Sequence, residues 1–158
     1  MPEFDELVDV SSRLVKTFQA LELPVLVTEQ YPKGLGRTVE ELRSVLGDGE
    51  PFTKTCFSSC GNDEVSARLI DLRTRQVVVC GIEAHVCVSQ TVHDLLQRGL
   101  GVHVAVDGVA SRKSRDRNVA LARMERARAV LTTAEAAAFE LLEDATHPRF
   151  KEVQAFFK

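Results

Sequence analysis

The sequence predicts an α/β fold in which a mostly parallel sheet carries helices on both faces. Three observations lead there. Short β-branched apolar runs, Gln76-Val-Val-Val-Cys80 foremost, alternate with longer stretches of helical periodicity. Those runs lack the in-out alternation of a half-exposed strand, as strands covered on both faces do. Glycine and proline punctuate the junctions.

The elements follow in order. Phe4, Leu7, Val8, Leu14, Val15, Phe18 and Leu21 recur at helical spacing, so roughly residues 3–22 form an amphipathic helix. Pro24-Val-Leu-Val-Thr28 is a buried strand, and Tyr31–Gly36 a loop. Thr38-Val-Glu-Glu41 carries a capping-box pattern and starts a short helix. Gly47–Pro51 is a turn, with a short strand at Phe52–Lys54. Asn62 or Asp63 caps a helix running to about Leu72. Gln76–Cys80 is a central parallel strand ended by Gly81. A helix from about His85 to Arg98 stops at Gly99, a C-cap. Gly101–Val106 is the next strand. A helix at about Ser114–Arg128, a strand at Ala129–Leu131, a helix at about Thr133–Leu142 and a last helix at Arg149–Phe157 complete the chain.

At 158 residues, one domain spanning 1–158 is expected. Apolar residues are 44% and charged residues 27%, which excludes disorder. A net charge of −3 argues against a nucleic-acid partner. No stretch reaches the roughly 18 apolar residues of a membrane span, so no membrane partner is expected either. The acidic start Met1–Glu6 lacks signal-peptide character, which points to the cytoplasm. Four cysteines in such a chain are read as reduced thiols.

Ligands of open α/β sheets bind beyond the carboxyl ends of the strands. Cys87 falls there, in the first turn of a helix, where free N–H groups and the dipole favour thiolate. The same N–H groups suit an oxyanion. Lys54 would add positive charge if it reaches the same crevice. The competing reading is that Cys87 is a small buried hydrophobe. Cys80 reads as core, and Cys56 and Cys60 as lining or packing. Cys56-x3-Cys60 with His85-x-Cys87 matches no common zinc spacing, so no metal is expected. Arg112–Arg117 reads as a solvated basic loop and helix start.

Thr28–Gly36, Lys54-Thr-Cys-Phe-Ser58 and Val79-Cys-Gly-Ile-Glu-Ala-His-Val-Cys87, in this order, resemble the isochorismatase-like cysteine hydrolases. The likeness continues through Val104–Arg112 and ends in Asp144–Lys151, covering nearly the whole chain. It implies a Rossmann-like three-layer sandwich, a homo-oligomer, no cofactor and an Asp-Lys-Cys triad. Cys87 matches the nucleophile and Lys54 the lysine. A non-proline cis peptide is implied at Ile82–Glu83, and an oxyanion site at the N–H groups of Ala84 and Cys87. Thr28, Tyr31, Phe57 and His85 are candidate pocket lining. The substrate implied is a small amide, ester or enol ether.

One part of the family pattern has no match. The first, central strand, whose end carries the catalytic aspartate, would precede the helix near Glu3. Asp9 and Asp5 fall on that helix and do not take the role. The domain therefore reads as N-terminally truncated, with a buried slot between strands 24–28 and 76–80. Either its neighbours close up, another segment fills in, or the sequence is an incomplete version of a longer chain, the reading that the otherwise intact motifs favour. The chain is then expected to be an impaired hydrolase, or else a non-catalytic binding or oligomerisation protein. With a start upstream of Met1, a mitochondrial location stays open.

Overall fold

The computed structural model describes residues 4–47 and 49–158. Glu3, the expected start of the first helix, and Asp48, in the expected turn, lie outside them. Helix α1 (Phe4–Ala20) buries Leu7, Val10 and Leu14, the apolar positions at helical spacing. The chain reverses at Glu22, with φ 57°, and runs extended into β1 (Thr28–Gln30). Helices α2 (Pro32–Leu35) and α3 (Glu40–Leu46) lead to β2 (Phe52–Lys54). A 3₁₀ turn at Ser59–Gly61 and helix α4 (Asp63–Asp71) come next. Strand β3 (Gln76–Ile82) passes through a wide turn at Ala84–Val88 into α5 (Ser89–Gln97). Then come β4 (Gly101–Ala110), α6 (Ser114–Arg126), β5 (Val130–Thr132), α7 (Ala134–Leu142) and α8 (Phe150–Ala155).

Every strand pairing is parallel, but the described strands form two sheets. One is β1-β2, with Gln30 opposite Lys54; the other is β3-β4-β5. The alternation of β3 sends side chains to two cores. Val77 and Val79 pack with Val92 and Leu95 of α5 and Met124 of α6. Val78 and Cys80 pack with Val10 and Leu14 of α1 and Ala134 of α7. Helices thus cover both faces of a parallel sheet, and the α/β three-layer architecture is the one expected.

Between β1 and β3 lies a slot-shaped cavity of about 660 Å³. Its walls are Thr28 and the chain before it, β3 from Gln76 to Cys80, α1 through Leu14, Val15 and Phe18, and α4 through Val65 and Leu69. Two strand expectations change for this reason. Pro24–Val27 does not join a ladder, because β2 is only three residues long and the other edge faces the cavity. β3 is the edge of its sheet and β4 the centre, and no β3 residue is fully buried despite its apolar sequence.

Other local expectations are also corrected. The capping box at Thr38 does not form, because Thr38 N and Oγ1 both donate to Glu29 Oε1 at 2.8 Å. Val39 occupies the N-cap position instead. Tyr31–Gly36 is not loop throughout, since α2 occupies most of it with Pro32 in its first turn. At α4 the expected cap holds, with Asn62 Oδ1 accepting from Val65 N at 2.9 Å.

Asn62 also donates from Nδ2 to Thr53 O at 3.1 Å, tying α4 to β2. Asn62→Ala loses both bonds and is expected to cost about 1–2 kcal/mol in urea unfolding. Asn62→Asp keeps the cap and should recover most of that loss.

Candidate active site

The site is assembled from segments that leave the carboxyl ends of β2, β3 and β4. Lys54 ends β2 and is only 6% exposed. Its Nζ donates to Gln30 Oε1 at 2.6 Å, to Phe57 O at 2.7 Å and to Cys56 O at 3.0 Å. The β1–β2 register places Gln30 beside it. All three acceptors are neutral. None of the ion pairs among the described residues includes Lys54. A buried ammonium satisfied only by dipoles is electrostatically hungry for an anion, since burial of a charge is compensated best by a paired one.

Cys87 lies in the wide turn that follows β3. Val86 N and Val88 N both donate to Glu83 O, at 3.1 and 3.2 Å. The second of these spans five residues, which opens the turn to π-helical width. The N–H groups of Ala84 and Cys87 are not the donors to that carbonyl. Ala84 itself is fully buried, and the Ile82–Glu83 peptide is cis.

Two bonds fix this turn to the end of β4. Glu83 Oε1 accepts from Arg112 Nε at 2.9 Å and from Arg112 N at 3.1 Å. His85 Nδ1 lies 2.9 Å from the hydroxyl of the buried Ser111. The basic segment stays exposed from Arg112 to Arg115 and leads into α6, as its composition implied. Arg112 is committed to Glu83, and Arg117 binds the carbonyls of Val109 and Val106. Gln30, Glu83, Ser111 and Arg112 are the polar members that sequence reasoning gave no part in the chemistry. Each lies inside or beside a quoted motif, but its partner is distant in sequence.

The remaining candidates separate. Tyr31 and Phe57 are each 53% exposed. Thr28 faces the slot, where its hydroxyl meets Ser59 Oγ at 3.3 Å. Asp9 pairs with Arg13 at 2.6 Å on α1, and Asp5 lies in that helix's first turn. Among the described residues no group of three His, Cys, Asp or Glu side chains could hold a metal ion. No described helix is long and apolar enough to cross a membrane.

The isochorismatase domain model matches residues 1–136. The chain belongs to the isochorismatase family. Human isochorismatase domain-containing protein 2 is 47% identical over 158 residues, which is 98% of this chain and 74% of that protein. The solved structure of MAR1 ribonuclease from Caenorhabditis elegans superimposes with a TM-score of 0.92 at 48% identity, covering 97% of this chain and 79% of that one. The YcaC gene product of Escherichia coli, described as an octameric hydrolase of unknown specificity, shares the fold. Its TM-score is 0.85 at 21% identity, over 98% of this chain and 83% of that one. These relatives make the Rossmann-like architecture of this isochorismatase-family chain secure.

Two other thiols differ from Cys87 in setting. Burial pushes the Cys80 thiol above its ordinary value, against a lowering hydrogen bond from Ser11. Burial also raises Cys60, with the Arg98 charge opposing. Folded Cys60 and Cys80 thus hold their protons more tightly than they would unfolded. Their contribution is intact below about pH 8.5 and is lost as pH rises through their higher folded-state values. Urea midpoints should therefore fall on the alkaline side, and Cys80→Ala should flatten that fall.

Proposed function

We propose that this isochorismatase-family chain is a cysteine hydrolase for a small amide, ester or related substrate, with Cys87 as nucleophile and Lys54 as its cationic support. The observation that carries this is Cys87 in a widened first turn after β3, on the motif shared with the family, with a buried ammonium at the end of β2. For an amide, the Cys87 thiol releases its proton to water and Sγ bonds to the carbonyl carbon. The N–H groups of Ala84 and Cys87 receive the oxyanion. The C–N bond breaks and the amine leaves with a proton from water. A second water then cleaves the thioester, releasing the acid and restoring the thiol.

Lys54 is assigned to stabilise the negative charge that develops on the substrate, as a cation does at an oxyanion. Among the described residues its hydrogen-bond partners are all neutral, so the proton is assigned to water. Positioned acid–base help is typically worth about 10²–10⁴-fold, which is the shortfall we assign to this chain. Tyr31, Phe57 and His85 form the rim that a small substrate meets. The four free thiols suit a cytoplasmic setting, and the octameric relative suggests a homo-oligomer.

The Caenorhabditis elegans relative carries the name of a ribonuclease, which makes RNA the rival substrate. The net charge of −3 and the engagement of Arg112 by Glu83 favour a small molecule instead.

Iodoacetamide at neutral pH, read by mass spectrometry, should modify Cys87 well before Cys60 and Cys80. Equal rates at Cys87 and Cys80 would sink the nucleophile assignment. In a panel of small amides and esters, Cys87→Ser should abolish turnover and Lys54→Met should lower it at least tenfold. Cleavage of RNA with silence across that panel would transfer the site to the rival substrate.

A further inference from the structure

The end of β4 owes its position to a bulge. Val79 of β3 lies opposite Val104, but Gly81 lies opposite Val109. The β4 residues 105–108 therefore stand against the single residue Cys80. A bulge bends its strand and re-aims the side chains that follow it. Without the bulge, the register of Val79 on Val104 would set Gly108, Val109 and Ala110 opposite Glu83, Ala84 and His85. None of those three β4 residues has a polar side chain. With the bulge, Ala110 lies opposite Ile82, and the next two residues are Ser111 and Arg112. These are the partners that His85 and Glu83 take, at 2.9 Å each.

A bulge disrupts the ladder locally, so its backbone groups need other partners and its shape needs holding. Asp107 ties it on one side, where both carboxylate oxygens accept from Ala134 N, at 2.9 and 3.2 Å. Gly108 lies so close to β3 that a Cβ there would meet Cys80 Cβ at 3.1 Å. Arg117 ties the other side. From α6 its Nε donates to Val109 O at 2.8 Å and its Nη2 donates to Val106 O. Val106 lies within the bulge and Val109 is the first paired residue after it, so one planar fork spans the insertion. Among the described residues Arg117 joins no ion pair; its guanidinium serves the backbone instead. Helix α6 also packs on the Cys87 turn, since Ala120 and Met124 share a core with Ala84 and Val88.

We propose that Arg117 is a positioning residue for the nucleophile. By bridging Val106 O and Val109 O it locks the β4 bulge in the register that delivers Ser111 and Arg112 to the Cys87 turn. It acts through the backbone and takes no part in bond making. The proposal rests on the assignment of Cys87, but its structural half is read separately.

Arg117→Ala, Arg117→Lys and the control Arg115→Ala are compared with the unaltered chain. Arg115 is on the same helix, with its side chain 81% exposed. Amide exchange in residues 81–88 and 109–112 should be at least tenfold faster in both Arg117 variants, while residues 102–104 of the same molecule change less than twofold. Lysine keeps the charge but offers no planar fork. On the amide or ester that the unaltered chain turns over fastest, kcat should fall at least tenfold. KM should change less than threefold, because Tyr31 and Phe57 on the rim are untouched. Arg115→Ala should match the unaltered chain in both readouts. If Arg117→Ala does not fold, Arg117→Lys carries the comparison. Unchanged exchange in residues 81–88, or faster exchange spread evenly over the core, would overturn the proposal. So would full kcat in Arg117→Lys. A chain that turns over nothing in the panel would instead sink the hydrolase reading, and the exchange comparison alone would then decide the role of Arg117.

Discussion

The two sheets share no ladder, so the architecture depends on what fastens β1-β2 to β3-β4-β5 across the slot. The fastening is the segment from Ser58 to Asn62. Ser59 N donates to Thr91 Oγ1 on α5 at 2.9 Å, while Ser59 Oγ meets Thr28 on β1. Arg98, just past α5, donates to Cys60 O at 2.9 Å and to Ser66 Oγ on α4 at 3.0 Å. Asn62 completes the chain of contacts by reaching Thr53 on β2. Each bond is worth only about 1 kcal/mol net, but together they set where one sheet lies relative to the other. Helix α1 supplies the apolar part, reaching β3 and β4 through Val10 and Leu14 and Val45 of α3 through a bond from Gln19 at 2.9 Å.

The geometry of the site follows from that fastening. Lys54 is delivered by the minor sheet and Cys87 by the major one. The two sheets are linked at this end through Ser59 and Thr91. On the major sheet the turn carrying Cys87 is held from the far side by Glu83–Arg112 and His85–Ser111. The Glu83–Arg112 pair is largely solvent-facing on the arginine side, so it contributes position more than stability. On the minor sheet Lys54 is positioned by backbone carbonyls and one amide.

Much of this was legible in the sequence because local chemistry decides it. Asn62 caps the helix that follows it, with a bond of 2.9 Å. Gly99, at φ 79°, ends the helix it follows. What failed depended on partners far along the chain. Pro24–Val27 has strand chemistry but joins no ladder, Val27 O accepting one bond from Phe52 N at 2.8 Å, so propensity alone could not make it a strand. Thr38 had a local capping option and took a distant carboxylate, Glu29, instead. Arg112 is exposed as expected, but nothing nearby in sequence reveals its pairing with Glu83, or that Arg117 reaches the β4 carbonyls.

The β3 strand joins the question of stability to that of chemistry. Its sequence, Gln76-Val-Val-Val-Cys80, is that of a strand buried on both faces with a neighbour at each edge. Here it has one neighbour, and its residues stay partly exposed. The partly exposed valines cost about 25 cal/mol for each Å² of apolar surface left in contact with water. Lys54 ends β2 and Cys87 follows β3, so in the reading proposed above the spacing of the two sheets sets the spacing of the nucleophile and its cation. Contacts that hold β1-β2 against β3-β4-β5 thus bear on the chemistry as much as on stability.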